Sequence, residues 1–274
     1  MEKKWALILG ASSGFGGAAA LEFAKAGYNI LGIHLDRNST MPNVDKLTKK
    51  ITKLGMRAEY FNMNAADPIK RNDILDEIKE SHEAKNDHKI HIIVHSLAFG
   101  TLKPFIAKDP NECISKQQME MTMDVMAHSL VYWTQGLVQR QLLAEGSKIF
   151  ALTSAGSQTV IFSYGAVSAA KAALEAHIRQ LAVELGHMKV SANAIMAGVT
   201  DTPALRKIPR ADKMLSSATA KNPRGRLTNA EEVAKAIVSL SGENCQWISG
   251  NVIAVDGGEY IVSYTGDKVC QPIK

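Results

Sequence analysis

The sequence predicts an α/β protein built on one doubly wound parallel sheet of about seven strands. Seven short apolar runs alternate with longer segments of helical period. The runs are apolar throughout rather than at every second position, as expected of strands covered on both faces. The 274 residues are 46% hydrophobic and contain no repeat and no linker dense in Pro, Gly or Ser. One domain spanning 1–274 follows.

The first run, "WALILG" (5–10), leads through a glycine-rich turn into an alanine-rich helix near 15–26. "YNILGIH" (28–34) precedes a helix near 42–54, and "RAEYFNM" (57–63) one near 69–85, whose mixed charges mark a solvated face. "IHIIVHS" (90–96) is followed by a long helical pattern over 115–143, and "KIFALTS" (148–154) by another over 162–186. The apolar stripes of these two, Leu130, Val131, Trp133, Leu137 and Val138, then Leu174, His177, Ile178 and Leu181, are core first of all. "VSANAIM" (190–196), a helix near 229–241 and "NVIAVDG" (251–257) complete the alternation. Right-handed crossovers make such a chain doubly wound. Only 199–227 breaks the pattern; with Pro203, Pro209 and Pro223 it is expected to form a helical lid over a site.

Composition excludes several classes. Cys113, Cys245 and Cys270 lie far apart without a CxxC pair, which argues against a disulfide framework and a zinc site. His82, His88, His91 and His95 are close in sequence but lack metal-ligand spacing, so no metal is expected. A net charge of +5 suits anionic ligands and is too diffuse for nucleic acid. No stretch approaches the roughly 20 apolar residues of a membrane span, and "MEKK" runs straight into a strand, so a cytoplasmic protein is expected.

"LILGASSGFGGAAALEFAKAG" sets Gly10, Gly14 and Gly16 at the turn between the first strand and helix. Glycines there let the backbone approach a pyrophosphate, and the helix start offers free N–H groups and a positive dipole end. Ser12 and Ser13 could add hydroxyls.

The G-x-x-x-G-x-G spacing resembles the short-chain dehydrogenase/reductase superfamily, with its Rossmann-type fold. The resemblance continues through "HSLAFG" (95–100), Ser154, the Tyr164/Lys171 helix, "NAIMAGVTDTP" (193–203) and "VDGG" (255–258). It implies a nicotinamide cofactor held by Gly10, Ser12, Ser13, Gly14, Phe15 and Gly16, and by His34 and Arg37 after the second strand. Asn64 and Ala65 would flank the adenine. Ser96, Leu97, Ala98, Lys171, Ala197, Gly198, Val199, Thr200 and Thr202 complete the implied set. The acid that normally holds the adenosine ribose is displaced: His34 occupies its place, with Asp36 and Arg37 beyond. Arg37, with His34 and Ser39, fits a 2′-phosphate, which favours NADPH. The alternative is NADH, with Asp36 on the ribose.

Tyr164 precedes Lys171 by seven residues; Val167 stands where ordinary members keep their tyrosine. Seven residues are about two helical turns, so both side chains can share a face. A hydroxyl offered three residues earlier starts about 4.5 Å away along the axis. This suits an enoyl thioester, whose oxyanion forms three bonds from the carbon that takes the hydride. The Y-x6-K spacing resembles the enoyl-acyl carrier protein reductases, and "TDTPALRKIP" with "NPRGRL" resembles their third, NADPH-linked, Bacillus-like type. Met126 stands where carbonyl reducers keep an asparagine, and Ala197-Gly198 where they keep Pro-Gly. Ser154 matches their catalytic serine instead, where most Y-x6-K enzymes carry an aromatic.

The resemblance therefore implies catalytic Tyr164, Lys171 and Ser154, an enoyl thioester carried on acyl carrier protein or another carrier, and a homotetramer or homodimer. Arg206, Lys207, Arg210 and Lys213 could dock an acidic carrier, although a solvated face is the simpler reading. The alternative activity is carbonyl or hydroxyl oxidoreduction using Ser154 and Tyr164. A non-catalytic nucleotide sensor would need no such tyrosine–lysine pair.

Overall fold

A computed structural model describes residues 4–84 and 89–263. Seven parallel strands form one sheet in the order β3-β2-β1-β4-β5-β6-β7. They are β1 (Trp5–Leu9), β2 (Asn29–His34), β3 (Ala58–Asn62), β4 (Ile90–His95), β5 (Leu143–Thr153), β6 (Ser191–Ala197) and β7 (Val252–Val255). The connecting helices are α1 (Gly14–Lys25), α2 (Met41–Lys53), α3 (Pro68–Ala84), α4 (Lys116–Met123), α5 (Ser129–Gln139), α6 (Gly165–Glu184), α7 (Ala211–Lys221) and α8 (Ala230–Leu240).

The uniformly apolar strands are explained by two cores. Leu7, Leu9, Ile93 and Ala151 point to one face, against Trp133 of α5 and Leu174 and Ile178 of α6. Ala6, Ile8, Ile30 and Phe150 point to the other, against Phe23 of α1 and Val233 and Ile237 of α8. All five residues of β1 are fully buried. Strand order reverses beside β1, where β2 and β4 leave on opposite sides. The crevice above the carboxyl ends of β1 and β4 is where such sheets bind ligands.

Two expected helices need correction. The helix expected over 115–143 is two helices joined by a π-helical turn, Asp124–His128. Ser129 Oγ donates to the Val125 carbonyl at 2.8 Å, a back-bond that disturbs regular helix. The chain then reverses at Gln141, whose φ is 56°, so Leu143 opens β5 instead of ending a helix. Short apolar runs fit either state, and burial decides.

The helix expected over 162–186 starts at Gly165, because Ser163 adopts φ 60° and Tyr164 takes the cap position. The segment 199–227 folds as a 3-10 turn, Leu205–Lys207, followed by α7; Leu205, Ala211 and Leu215 form its own small core. Asn222 Nδ2 ties its far end to the Asp256 carbonyl at 2.8 Å.

Among the described residues, no group of three or more metal-ligating side chains occurs and no helix is long and apolar enough to cross a membrane. Cys113 and Cys245 are free thiols. His88 and Cys270 lie outside the described residues.

Candidate active site

At the β1–α1 turn the ligand-facing surface is backbone. Gly10 adopts φ 90°, and its N–H donates to the Ile33 carbonyl at 2.8 Å, holding the turn over β2. A methyl group built on Gly16 would lie 2.0 Å from the Gly10 carbonyl oxygen, so only glycine lets α1 start this close to the strand. Ser12, Ser13 and Phe15 occupy the same turn, and Ser96 and Leu97 face it from β4. The Thr202 side chain comes within ordinary contact of the Gly14 position, bringing the start of 199–227 to the same cradle. Gly198 packs directly on Thr228 and Asp256, which holds the β6 end and the segment Ala197 to Thr200 beside β7. The cradle leaves backbone room a pyrophosphate needs, so the residues present fit a dinucleotide.

At the end of β2, His34 is buried and its Nδ1 lies 3.0 Å from Asp36 Oδ2. Burial pushes the Asp36 carboxyl up, but hydrogen bonds from Thr40, Ser12 and His34 outweigh it and leave it below the usual range. Asp36 thus faces the glycine turn through Ser12, whereas Arg37 is exposed. Asn64 is exposed beside buried Ala65, whose carbonyl accepts from Trp133 Nε1 at 2.8 Å. Ala98 is exposed at the crevice rim.

On the opposite side, Ser154 and Tyr164 come together. Ser154 Oγ accepts from the Gly156 N–H at 2.9 Å, which fixes the hydroxyl at the end of β5. Burial raises the Tyr164 pKa, and the hydrogen bond from Ser154 offsets part of that. The Gly156 N–H thus holds Ser154 beside Tyr164. A methyl on Gly156 would lie 2.8 Å from the Tyr164 ring, so that glycine makes the floor beneath it. Gly165, the residue after Tyr164, lies directly under the Phe105 ring.

Lys171 is 5% exposed, and its Nζ donates to the Leu152 carbonyl at 2.7 Å. Burial lowers its pKa to about 8, opposed by the Glu175 carboxylate. Val167 is buried with Met126 against Gly100, so the position of the ordinary tyrosine belongs to the core. Arg206 is already bidentate to Asp201 and also meets Asp212, which leaves Lys207, Arg210 and Lys213 of the basic set.

Sequence reasoning missed the αL residue Ser163 and the floor glycine. A glycine two residues after Ser154 was the available signal for the latter.

Residues 10–259 match the family model described as Enoyl-(Acyl carrier protein) reductase. The chain is 27% identical over 262 residues to an NADPH-dependent aldehyde reductase-like chloroplastic protein of Arabidopsis thaliana, covering 92% of this chain and 93% of that one. It is 31% identical over 184 residues to the NADH-dependent enoyl-[acyl-carrier-protein] reductase of Aquifex aeolicus, 66% of each. The crystal structure of the enoyl-[acyl-carrier-protein] reductase (NADH) from Aquifex aeolicus superposes with a TM-score of 0.81 at 25% identity, covering 96% of this chain and 99% of that one.

Proposed function

Because the chain belongs to the short-chain dehydrogenase/reductase family whose model is described as Enoyl-(Acyl carrier protein) reductase, we propose that it reduces the trans-2 double bond of enoyl thioesters. Membership makes it a nicotinamide-dependent oxidoreductase. The observation that carries the finer reading is Tyr164 at the cap of α6 with Val167 turned into the core. In this reading the phenol that works with Lys171 is offered a turn ahead of the position used for ketones.

When bound, the cofactor supplies a hydride to C3 of the enoyl group. The C2–C3 π electrons then move toward the thioester oxygen, and Tyr164, backed by Ser154, donates a hydrogen bond to the enolate oxygen. Lys171 orients the ribose and, as a nearby cation, favours charge on that oxygen. A proton from water then reaches C2. Phe105, packed on Gly165, and Phe162, two residues before Tyr164, leave exposed apolar surface beside Tyr164, which suits an acyl chain. In this reading 199–227 acts as the lid, the thioester rides on an acyl carrier protein or a smaller carrier, and the enzyme assembles as a homodimer or homotetramer in the cytoplasm.

A second reading, carbonyl reduction, is favoured by Ser154 standing beside Tyr164, since a serine next to the proton-donating phenol suits a ketone. An NAD(P)H-oxidation assay with a crotonyl thioester against a 3-ketoacyl thioester separates them. Faster turnover of the crotonyl thioester supports the enoyl reading, and oxidation with the ketoacyl thioester alone rejects it.

For the cofactor, Arg37 supports NADPH. Asp36 favours NADH, because its carboxylate faces Ser12 where a ribose diol would be accepted and a 2′-phosphate repelled. If Arg37 meets the phosphate, Arg37→Ala should weaken NADPH by about 1–3 kcal/mol and spare NADH. If Asp36 governs, Asp36→Ala should weaken NADH instead, read from dissociation constants for both cofactors.

A further inference from the structure

Glu175 is a buried acid to which the catalytic scheme gives no task. It is 6% exposed, one helical turn after Lys171 on α6, and its Oε1 accepts from Thr153 Oγ1 at 2.6 Å. Thr153 is itself buried and directly precedes Ser154. The end of β5 is thus tied to α6 twice in succession, at Leu152 by Lys171 and at Thr153 by Glu175. A buried carboxylate is costly unless it is hydrogen-bonded and balanced by a cation. The i, i+4 spacing puts the Lys171 ammonium on the same face.

We propose that Glu175 is a positioning residue: anchored on Thr153, its carboxylate supplies the counter-charge for the Lys171 ammonium and fixes Lys171 relative to the strand end that bears Ser154. The proposal rests on reading Lys171 as the partner of the cofactor ribose and of Tyr164.

The other charged or titratable groups around α6 do not offer that counter-charge. His95, at the end of β4, is held down to about 3 by burial and by Lys171, so it is neutral. In the π turn, Asp124 lies toward Arg71, and His128 Nδ1 meets His177 Nε2 of α6 at 3.0 Å. Lys116 and Glu120 of α4 pair in solvent, and Lys148 of β5 reaches Gln246. Beyond the end of α6, His187 is bonded to the Glu184 carbonyl. Neither β6 nor α5 carries a charged side chain, although α5 holds Tyr132 against His128, and Glu145 of β5 pairs with Lys189 in solvent. On α6 itself Arg179 is exposed and Glu184 accepts from Gln180, which leaves Tyr164 at the cap.

The test measures NADH and NADPH dissociation constants by nicotinamide fluorescence from pH 6 to 10. Glu175→Gln keeps the acceptor for Thr153 and removes the charge. In the wild type, affinity should fall as Lys171 loses its proton near pH 8. In Glu175→Gln this fall should move down by about one pH unit, so affinity at pH 8 drops severalfold. Lys171→Met should be weak at every pH and show no such fall. A folded Glu175→Gln protein with the wild-type pH profile, beside a disabled Lys171→Met, overturns the inference alone. A Lys171→Met protein that binds and turns over like wild type overturns the reading of Lys171 and the inference with it.

Stability supplies a second arm if Glu175→Gln folds poorly. A balanced buried pair predicts that the Glu175→Gln/Lys171→Met double variant melts higher than the sum of its single losses requires. Strict additivity would count against the pair.

Discussion

At the β1–α1 turn the groups that would meet the cofactor are backbone, whereas at the start of α6 they are side chains held by other side chains. Gly10 and Gly16 leave no freedom: a methyl on Gly16 would overlap a carbonyl oxygen. The α6 end is assembled from three segments, with the Gly156 floor under Tyr164, Phe105 over Gly165 and Ser163 in the left-handed region. Backbone cradles bind whatever carries a pyrophosphate. Side-chain assemblies choose the reaction, and small displacements there should change chemistry before they change folding.

The contrast sets the order of expected effects. Gly16→Val should be the most damaging, costing at least about 3 kcal/mol through forced overlap with backbone. The melting temperature should fall by roughly 6–12 °C, with cofactor binding lost together with it. A Gly16→Val protein that melts and binds like wild type would show that the turn is not close-packed. Tyr164→Phe should do the opposite: turnover down about 100- to 1,000-fold, the worth of one oxyanion donor, with melting and cofactor affinity nearly unchanged.

Gly156→Ala sharpens the comparison, because it shifts the Tyr164 ring without removing the hydroxyl. Turnover should fall about 10- to 100-fold, as expected for a misplaced catalytic group, while cofactor affinity holds. Equal losses in both would mean that the two ends are not independent.

The gentlest effect, a slope spread over more than two pH units, concerns Lys171. Its folded pKa, about 8, lies below its ordinary 10.5, so between these values the unfolded chain binds the proton and the folded one does not. Stability without cofactor should therefore rise with pH across this window, by about 1 kcal/mol per pH unit at the steepest. Subtracting the same curve for Lys171→Met isolates the contribution. A difference curve that is flat or falling would contradict the burial of this ammonium.

The backbone-built end was legible in the sequence because glycine spacing and apolar runs state backbone demands directly. Six of the seven strands agree closely with their apolar runs, and β5 extends earlier, from Leu143. At the other end, Tyr164, Lys171 and Ser154 were legible as residues, but their arrangement was not. Helical periodicity carried Tyr164 into α6, yet the left-handed Ser163 stops the helix at Gly165. Met126 lies within the π turn, where Ser129 bonds back to the Val125 carbonyl, and helical periodicity does not announce such a turn. Asp36 sat outside the expected ribose position by sequence count. Its carboxylate nonetheless reaches the glycine turn through Ser12, because β2 ends at His34 and the chain turns back.

If the proposed function holds, Tyr164, one turn ahead of Val167, directs hydride to a carbon three bonds from the oxyanion. Cofactor carrying deuterium at the transferable nicotinamide position, mixed with protein and equal crotonyl and 3-ketoacyl thioesters, tests it directly by mass spectrometry. Deuterium is expected at C3 of a saturated butyryl thioester, with the ketoacyl thioester recovered largely unchanged. Deuterium on the carbinol carbon of a 3-hydroxyacyl thioester, with the crotonyl thioester untouched, would contradict it.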